Sequence, residues 1–348
     1  MFPSPFMSTV VLCGQLLLAA GSDEQKKELL PKIVDGSAIM ALAFNEPESS
    51  WNRKDMLPEG ITLSATADGD SYVLNGTKLF VHDANSSDYM ICVARTKSGS
   101  NPEDGITLFL VDSKDAGITC TTLDTSANNN KICEVVFDKV KVPAANIIGK
   151  LNEGWAPLWK AIQIGAVMLC AEMVGAGQSA QETTVDYTKT RIQFDMPIGI
   201  HQFVQEHVVQ QTLAVDGSRR VTYLAAWMLS EGLPCDLEVA IAKAWTNEYH
   251  EEGLWRSHQV LAGVSSTEAL GVMPMYSKRG NIQCLYLGDA DFWKEKITEE
   301  LEKLPPPQKG KAPARGLWKP GLKQEPTWDI WRDYVESLEK KDDSELDI

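Results

Sequence analysis

The chain has 348 residues, of which 43% are hydrophobic, and it carries a formal net charge of −15. This length allows a sizeable hydrophobic core divided over more than one unit. The acidic balance argues against a nucleic-acid partner, because phosphate contacts require clustered Lys and Arg.

The seven cysteines form no Cys-x-x-Cys pair, and most of them lie in apolar stretches. We interpret them as buried free thiols in a reducing compartment, the cytoplasm, with neither a disulfide framework nor a metal site. The apolar run near the start follows no basic segment, so we interpret it as a core helix and not as a signal peptide. We expect no membrane span, because no stretch contains the roughly 18 uncharged apolar residues that one requires.

In chain order, the first predicted elements are helices over residues 7–35. Ser22 can cap the second of these helices, DEQKKELLPKIV, with Gln25 as its capping-box partner. Because proline interrupts helical hydrogen bonding, this helix is expected to end near Pro31.

From about residue 38 the apolar residues alternate with polar ones, as in strands. The segment ITLSATADGDSYVLNGTKLFV contains two hairpin signals, Asp68-Gly69 and Asn75-Gly76. Further short strands follow in DYMICVART, GITLFLVD and ICEVVFDKVKV. The pattern predicts an antiparallel β unit that contains an Asn-rich loop at 126–130.

The next part of the chain has helical periodicity. It predicts long helices at 154–189, 202–231 and 237–262, and a shorter helix at 290–303.

The end of the chain is predicted to be a linker and one more helix. Residues 305–316 are rich in Pro, Gly and Lys, as linkers are. The following TWDIWRDYVESLEKK predicts an amphipathic helix with Trp328 and Trp331 on one face. We expect this helix to pack on its own chain, and a partner protein is the alternative.

One carboxylate stands out on the predicted helix at 237–262. Glu248 shares a helix face with Ala244 and Trp245 before it and with Glu251 and Glu252 after it. A carboxylate in such a setting can act as a general base for a weak carbon acid. The alternative interpretation is a surface glutamate on an acidic helix edge.

A series of segments resembles the flavin-dependent acyl-CoA dehydrogenases over roughly residues 3–303. In order, the segments are GSDEQKKELLPKIVDG, ALAFNEP, YVLNGTKLFVHDANSSDYMICVART, GITLFLVDSKDAGI, VVFDKVKVPAANIIG, DYTKTRIQFDMPIGIHQ, AKAWTNEY, HQVLAG and LYLGDADFW. The order and spacing of the set carry the resemblance, because each segment alone has little specificity.

The resemblance and the periodicity together predict an α+β protein of the acyl-CoA dehydrogenase type. Its parts are a truncated N-terminal helical domain at 1–37, a middle antiparallel β-barrel or sandwich at 38–150, a C-terminal four-helix bundle at 151–304, and the linker plus amphipathic helix at 305–348. The chain is expected to begin inside the N-terminal domain, whose earlier helices form much of the acyl pocket wall in the family.

The resemblance implies an enzyme of lipid metabolism that uses FAD and an acyl-CoA substrate. A glutamate removes the α-proton of the thioester while the β-hydrogen leaves as hydride to flavin N5. It also implies an electron-transferring flavoprotein as partner and a homo- or hetero-oligomer. Electron transfer to oxygen, as in an oxidase, stays open.

The resemblance places the base at Glu248. In most of the family the base lies in a Tyr-Glu-Gly-Thr motif, which here reads YLGD at 286–289, and Leu287 cannot take a proton. The branch with isovaleryl- and long-chain-type enzymes has its base eleven residues before a glutamine that corresponds to Gln259, and this position is Glu248. Asp289 is the rival candidate and could instead be a helix cap.

Eight residues are expected to bind the cofactor: Asn45, Phe80, His82, Arg191, Gln193, Phe194, Gln259 and Gly263. Phe80 would stack on the flavin ring, and His82 stands where a threonine usually reaches the flavin; an exposed loop histidine is the alternative for His82. The residues from Arg191 onward would meet FAD across a dimer interface. Asp195 replaces a glycine there and brings a negative charge toward the pyrophosphate.

Two further features concern the substrate. The sequence at 288–291, Gly-Asp-Ala-Asp, resembles the branch that acts on bulky or ring-bearing acyl-CoAs. The loop at 48–52, which contains Trp51, departs from the family pattern and leaves the acyl contacts open. The resemblance therefore predicts a dehydrogenase of a bulky, branched or cyclic acyl-CoA, and the alternative is a non-catalytic subunit of a heteromeric acyl-CoA dehydrogenase.

Overall fold

The computed structural model describes residues 4–49, 56–125, 132–267 and 272–304. The predictions for Trp51 and its neighbours, for the loop at 126–130, and for the linker and C-terminal helix lie outside these ranges. The chain divides into two compact units, Met1–Leu301 and Glu302–Ile348, and the first contains the elements below. The predicted division at residues 37, 150 and 304 stays a prediction.

The chain begins with helical turns, as predicted. A π-helical segment, Met7–Cys13, continues into α1, Gly14–Ala20, and α2 spans Asp23–Val34. The predicted capping box is confirmed, because the Gln25 N–H donates to Ser22 Oγ at 3.2 Å and the Ser22 N–H donates to Gln25 Oε1 at 3.0 Å.

The predicted segment DEQKKELLPKIV forms α2 along its whole length, and its end lies three residues past Pro31. The helix continues to Val34 with Pro31 inside it. Leu29 and Ile33, four residues apart on the same face, are both buried. Their burial favours continuing the helix past the hydrogen bond that proline removes.

The β unit is one eight-stranded sheet with strand order β6-β7-β3-β2-β4-β5-β8, and β1 pairs with β4. The strands are β1 Met40–Ala43, β2 Ser64–Asp68, β3 Ser71–His82, β4 Tyr89–Arg95, β5 Ile106–Asp112, β6 Ile118–Thr122, β7 Ile132–Pro143 and β8 Ile147–Ile148. Most strand pairs are antiparallel, as predicted, but β1 and β2 both run parallel to β4. A longer connection precedes β4 in each case, as parallel pairing requires.

Of the two hairpin signals, only the first forms a turn. Gly69, at φ +61°, lies between β2 and β3, where Asp68 pairs with Ser71. The prediction for Asn75-Gly76 was wrong, because Gly76 lies inside β3 at a register shift against β7. A Cβ at Gly76 would lie 2.9 Å from Leu63 Cγ, so the glycine permits close packing instead of a turn.

The helical part is a bundle whose long members match the prediction closely. The helices are α3 Trp155–Thr190, α4 Gln202–Ser230, α5 Asp236–Leu261, α6 Val272–Leu285 and α7 Ala290–Glu302. The sequence did not predict α6, which contains a proline and Gly280. A Cβ at Gly280 would lie 3.0 Å from His250 Nε2, so close packing of α6 on α5 explains the glycine.

Among the described helices, α3 is long and apolar enough to cross a membrane by length and composition, and 61% of its apolar window is buried inside the fold.

One large core lies among the N-terminal helices, one side of the sheet and the bundle. Stacked indoles belong to it: Trp155 and Trp159 have ring centres 6.0 Å apart, and Trp159 and Trp293 have ring centres 5.8 Å apart. This core joins β1, β4 and β5 of the sheet to α3 and α5 of the bundle.

Candidate active site

Glu248 lies on the exposed side of α5 and contacts α7. Its Oε2 is 3.0 Å from Lys294 Nζ, and the two side chains are 53% and 49% exposed. The hydrogen bond and charge of Glu248 raise the pKa of Lys294, so this amine is a cation at neutral pH. Trp245, which precedes Glu248 on the same face, stacks on Tyr249 with ring centres 4.1 Å apart, and the exposure of Glu248 agrees with the alternative interpretation of a surface glutamate. Glu248 is therefore an accessible carboxylate.

Asp289, the rival base, is the cap of α7. The backbone N–H of Phe292 donates to Asp289 Oδ1 at 2.8 Å. The capping interpretation of Asp289 is confirmed.

The turn between α6 and α7 is strained and apolar. Leu287 is 4% exposed and has φ +57°, and Gly288 has φ +94°. Trp293 Nε1 donates to the Leu287 carbonyl at 2.9 Å. A Cβ at Gly288 would lie 2.7 Å from Trp293 Nε1, so only glycine fits there. No side chain at 287 or 288 can accept a proton.

The end of β3 presents an aromatic ring. Phe80 is 38% exposed and has φ +55°, at a register shift between Lys78 and Val81. Such a conformation is unusual for a non-glycine residue and is often found at functional sites. The Leu79 N–H donates to the Asn45 carbonyl at 2.8 Å, so Asn45 lies beside Phe80.

A buried ion pair fixes the Asn45 segment, and the sequence did not predict it. Lys78 Nζ lies 2.6 Å from Glu46 Oε1 and donates to the Phe44 carbonyl at 3.0 Å. The Glu46 carboxylate also accepts hydrogen bonds from Thr62 and Leu63. Burial would raise the pKa of Glu46, but Lys78 and these donors outweigh it, so the pKa lies below its usual value.

His82 closes β3 and stacks on Tyr286 of the α6–α7 turn, with ring centres 3.8 Å apart and planes at 25°. Burial, with a smaller contribution from the charge of Arg279, lowers the pKa of His82 to about 4. The imidazole is therefore neutral at pH 7 and can donate one hydrogen bond. The sequence had not singled out Tyr286 for this contact.

The remaining predicted cofactor residues lie elsewhere. The hairpin of β9, Ile192–Gln193, and β10, Met196–Pro197, places Phe194 and Asp195 in its turn, both with positive φ. Phe194 is 86% exposed, and Arg191 and Gln193 are exposed as well.

Gln259 is exposed on the last turns of α5, on the same face as Glu248. Gly263 follows in the 3₁₀ turn Ala262–Ser266. No heavy atom of the described chain lies within 4 Å of a Cβ built on Gly263, so packing in this chain does not explain the glycine.

The chain matches two family models, the acyl-CoA dehydrogenase middle domain over residues 41–140 and the acyl-CoA dehydrogenase C-terminal domain over residues 152–286. Together the two matches cover about two thirds of the chain. The chain belongs to the acyl-CoA dehydrogenase family.

Similar proteins agree with this assignment. A 3-(aryl)acrylate reductase of Clostridium sporogenes is 30% identical over 239 residues, 68% of this chain and 62% of that protein. Mitochondrial isovaleryl-CoA dehydrogenase of Pongo abelii is 31% identical over 224 residues, 64% of this chain and 52% of that protein. The chain thus spans less than two thirds of the length of either relative.

Solved structures share the fold. Butyryl-CoA dehydrogenase of Megasphaera elsdenii matches with a TM-score of 0.80 and 25% identity, over 86% of this chain and 77% of that chain. The predicted α+β acyl-CoA dehydrogenase fold is therefore confirmed.

For this acyl-CoA dehydrogenase family member, the structure brings together Asn45, Phe80 and His82 at one end of the sheet. The α6–α7 turn contacts this group through Tyr286. Among the described residues, no hydrogen bond or ring contact joins it to the hairpin residues or to Gln259 and Gly263. The assigned roles of all these residues stay predictions, as does Glu248 as the base.

Proposed function

We propose that the chain is an FAD-dependent dehydrogenase of bulky, branched or ring-bearing acyl-CoA thioesters, with Glu248 as the α-proton base. The observation that carries the proposal is the accessible Glu248 carboxylate on α5, next to a turn whose Leu287 cannot accept a proton. The names of two relatives, a 3-(aryl)acrylate reductase and an isovaleryl-CoA dehydrogenase, support the class of acyl group.

In the proposed reaction, a Glu248 oxygen takes the α-proton of the thioester. FAD, when bound, supplies the acceptor for the β-hydrogen and its electron pair. The Lys294 ammonium, 3.0 Å from Glu248, orients the carboxylate and compensates its charge before the proton is transferred. Leu287 itself offers no proton acceptor, and the Asp289 carboxylate is engaged in capping α7.

The residues at the end of β3 fit a flavin. Phe80 offers an exposed ring face on a strained backbone, and His82 is a neutral hydrogen-bond donor at pH 7. Asn45 adds an amide beside them. Arg191 is the cation proposed to meet the pyrophosphate from a second subunit.

Further parts of the proposal come from the family. They are electron delivery to an electron-transferring flavoprotein, assembly as a homo- or hetero-oligomer, and a cytoplasmic location.

A second candidate function is a non-catalytic subunit that supports an active partner. The observation in its favour is Asp195, an exposed acid in the hairpin turn four residues after Arg191. A carboxylate there opposes binding of a pyrophosphate.

The visible absorption spectrum of the purified chain tests the proposal first. We expect a flavin band that aryl-substituted or branched acyl-CoA bleaches under anaerobic conditions. A folded, colourless chain that stays colourless with added FAD would contradict the dehydrogenase and support the non-catalytic subunit. Bleaching in a Glu248→Gln variant at the wild-type rate would remove Glu248 as the base.

A further inference from the structure

A lysine lies buried in the bundle, on the opposite side of α5 from Glu248. Lys243 is 0% exposed. Its ammonium donates to Asn247 Oδ1 at 2.7 Å and to the Gln283 carbonyl of α6 at 2.9 Å. Both acceptors are neutral, and a buried ammonium is unfavourable unless hydrogen bonds compensate the lost water. A methionine or leucine would satisfy packing alone at lower cost, so the cation indicates a further role.

The Asn247 side chain links Lys243 to the α6–α7 turn by two hydrogen bonds. Its Nδ2 donates to the Gly288 carbonyl at 3.1 Å, while its Oδ1 accepts from Lys243. The ammonium thereby fixes the amide orientation, since a flipped amide would place two donors together. Lys243 and Asn247 therefore hold the last turn of α6, at Gln283, and the α6–α7 turn itself, at Gly288.

The turn requires such support, because Leu287, a non-glycine residue, has φ +57°. It places Tyr286 directly before this residue. The Tyr286 ring stacks on His82 at 3.8 Å, and His82 stands two residues after Phe80 in β3. A displacement of the turn would thus move the ring that supports His82.

We infer that Lys243 and Asn247 are positioning residues that act through the α6–α7 turn to hold Tyr286 against His82 at the candidate flavin site. This inference rests on the proposed function for its catalytic consequence, but the ring contact itself is a property of the chain. Both side chains are buried in the bundle, so they act through the turn. The pair makes the end of β3 depend on the interior of the bundle.

The test observes the stack directly. The chain contains five histidines, so ring-labelled histidine gives few NMR signals. The signal that is missing in the His82→Asn variant belongs to His82. The Tyr286 ring current should shift the His82 signal. Lys243→Met removes the ammonium but keeps the apolar stem, and Asn247→Asp keeps the acceptor for Lys243 but removes the donor to Gly288.

A control is Gln163→Leu, which removes a different, part-buried hydrogen bond of the bundle, from Gln163 Nε2 to Asp236 Oδ1 at 2.6 Å. We expect the His82 signal to lose its ring-current shift in Lys243→Met and in Asn247→Asp, and to stay in place in the control. An unchanged signal in Asn247→Asp, or an equal change in the control, would overturn the inference. Asn247→Asp decides the question if Lys243→Met does not fold.

Turnover separates this inference from the proposed function. If both hold, kcat/KM falls by up to about a hundredfold in Asn247→Asp, as displacements of about 1 Å produce. A moved His82 signal in a chain that neither binds flavin nor oxidises acyl-CoA would retain the positioning role and reject the proposed function. If the His82 signal does not move in Asn247→Asp and the enzyme is active, the positioning role is rejected and the proposed function is retained.

Discussion

The ion pair of Lys78 and Glu46 should be a major source of stability in the β unit. The two side chains are 0% and 2% exposed, and their charged atoms are 2.6 Å apart. Removing one partner of a buried pair leaves the other charge uncompensated, at a cost of about 3–5 kcal/mol. Because Thr62 and Leu63 still donate to the Glu46 carboxylate, Lys78→Met should lie at the lower end, about 3 kcal/mol.

Urea unfolding followed by circular dichroism measures this change. The matched control is Lys141→Met, because Lys141 and Asp68 form a pair of 2.8 Å in the same sheet whose side chains are 60% and 57% exposed. An exposed pair contributes about 0–1 kcal/mol, so the control should unfold almost as the wild type does. The double variant Lys78→Met/Glu46→Met leaves no buried charge, but it also leaves the Thr62 and Leu63 donors without their acceptor, so it should recover only part of the loss.

The pH dependence supplies a second check. Since the folded pKa of Glu46 lies below its usual value of 4.5, its contribution is complete above pH 4.5 and is lost as the pH falls below that value. Lys78→Met removes the charge that holds the pKa down. The unfolding free energies of wild type and variant should therefore converge below pH 4.5. A difference of less than about 1 kcal/mol between Lys78→Met and wild type at pH 7 would refute the reasoning.

Three other predictions concern the site. Glu248→Gln should lower kcat by about 10²–10⁴-fold with flavin content unchanged. Asp289→Asn keeps a capping oxygen and should retain activity. If stopped-flow measurements of flavin bleaching showed the reverse pattern, Asp289 would be the base. Phe80→Ala should weaken FAD binding by about 0.5–1.5 kcal/mol in a fluorescence titration, and equal affinity would show that the ring does not stack on the flavin. NMR titration should find His82 with a pKa of about 4, and because the folded pKa lies below the usual 6.5, His82 lowers stability as the pH falls from 6.5 toward 4. His82→Asn should flatten this dependence of the urea midpoint, and a His82 that titrates near 6.5 would contradict the burial argument.

The sequence predicted those parts of the fold that depend on local interactions. The capping box at Ser22 and the hairpin at Gly69 each rest on residues adjacent in the chain, and both formed. Asn75-Gly76 carries the same local signal as a hairpin, but Gly76 lies inside a strand, where it packs closely on Leu63, thirteen residues earlier in the chain. Helix α6 was missed for the same kind of reason, since Gly280 is explained by contact with α5.

The candidate site divides in the same way. Spacing along one helix was enough to single out Glu248, but its partner Lys294 comes from another helix and is visible only in the fold. The Lys78–Glu46 pair and the Tyr286–His82 stack join residues far apart in sequence, and no periodicity reveals such contacts. Binding to a second subunit, predicted for Arg191, depends on an interface that one chain does not contain.

The indole column of Trp155, Trp159 and Trp293 gives this protein an optical reporter of its own. Neighbouring indoles at these ring distances couple electronically, and Trp293 also donates to the Leu287 carbonyl in the α6–α7 turn. A rearrangement of the turn must change the orientation of the last indole relative to the other two. Near-ultraviolet circular dichroism of the chain without ligands can therefore follow the turn without any label.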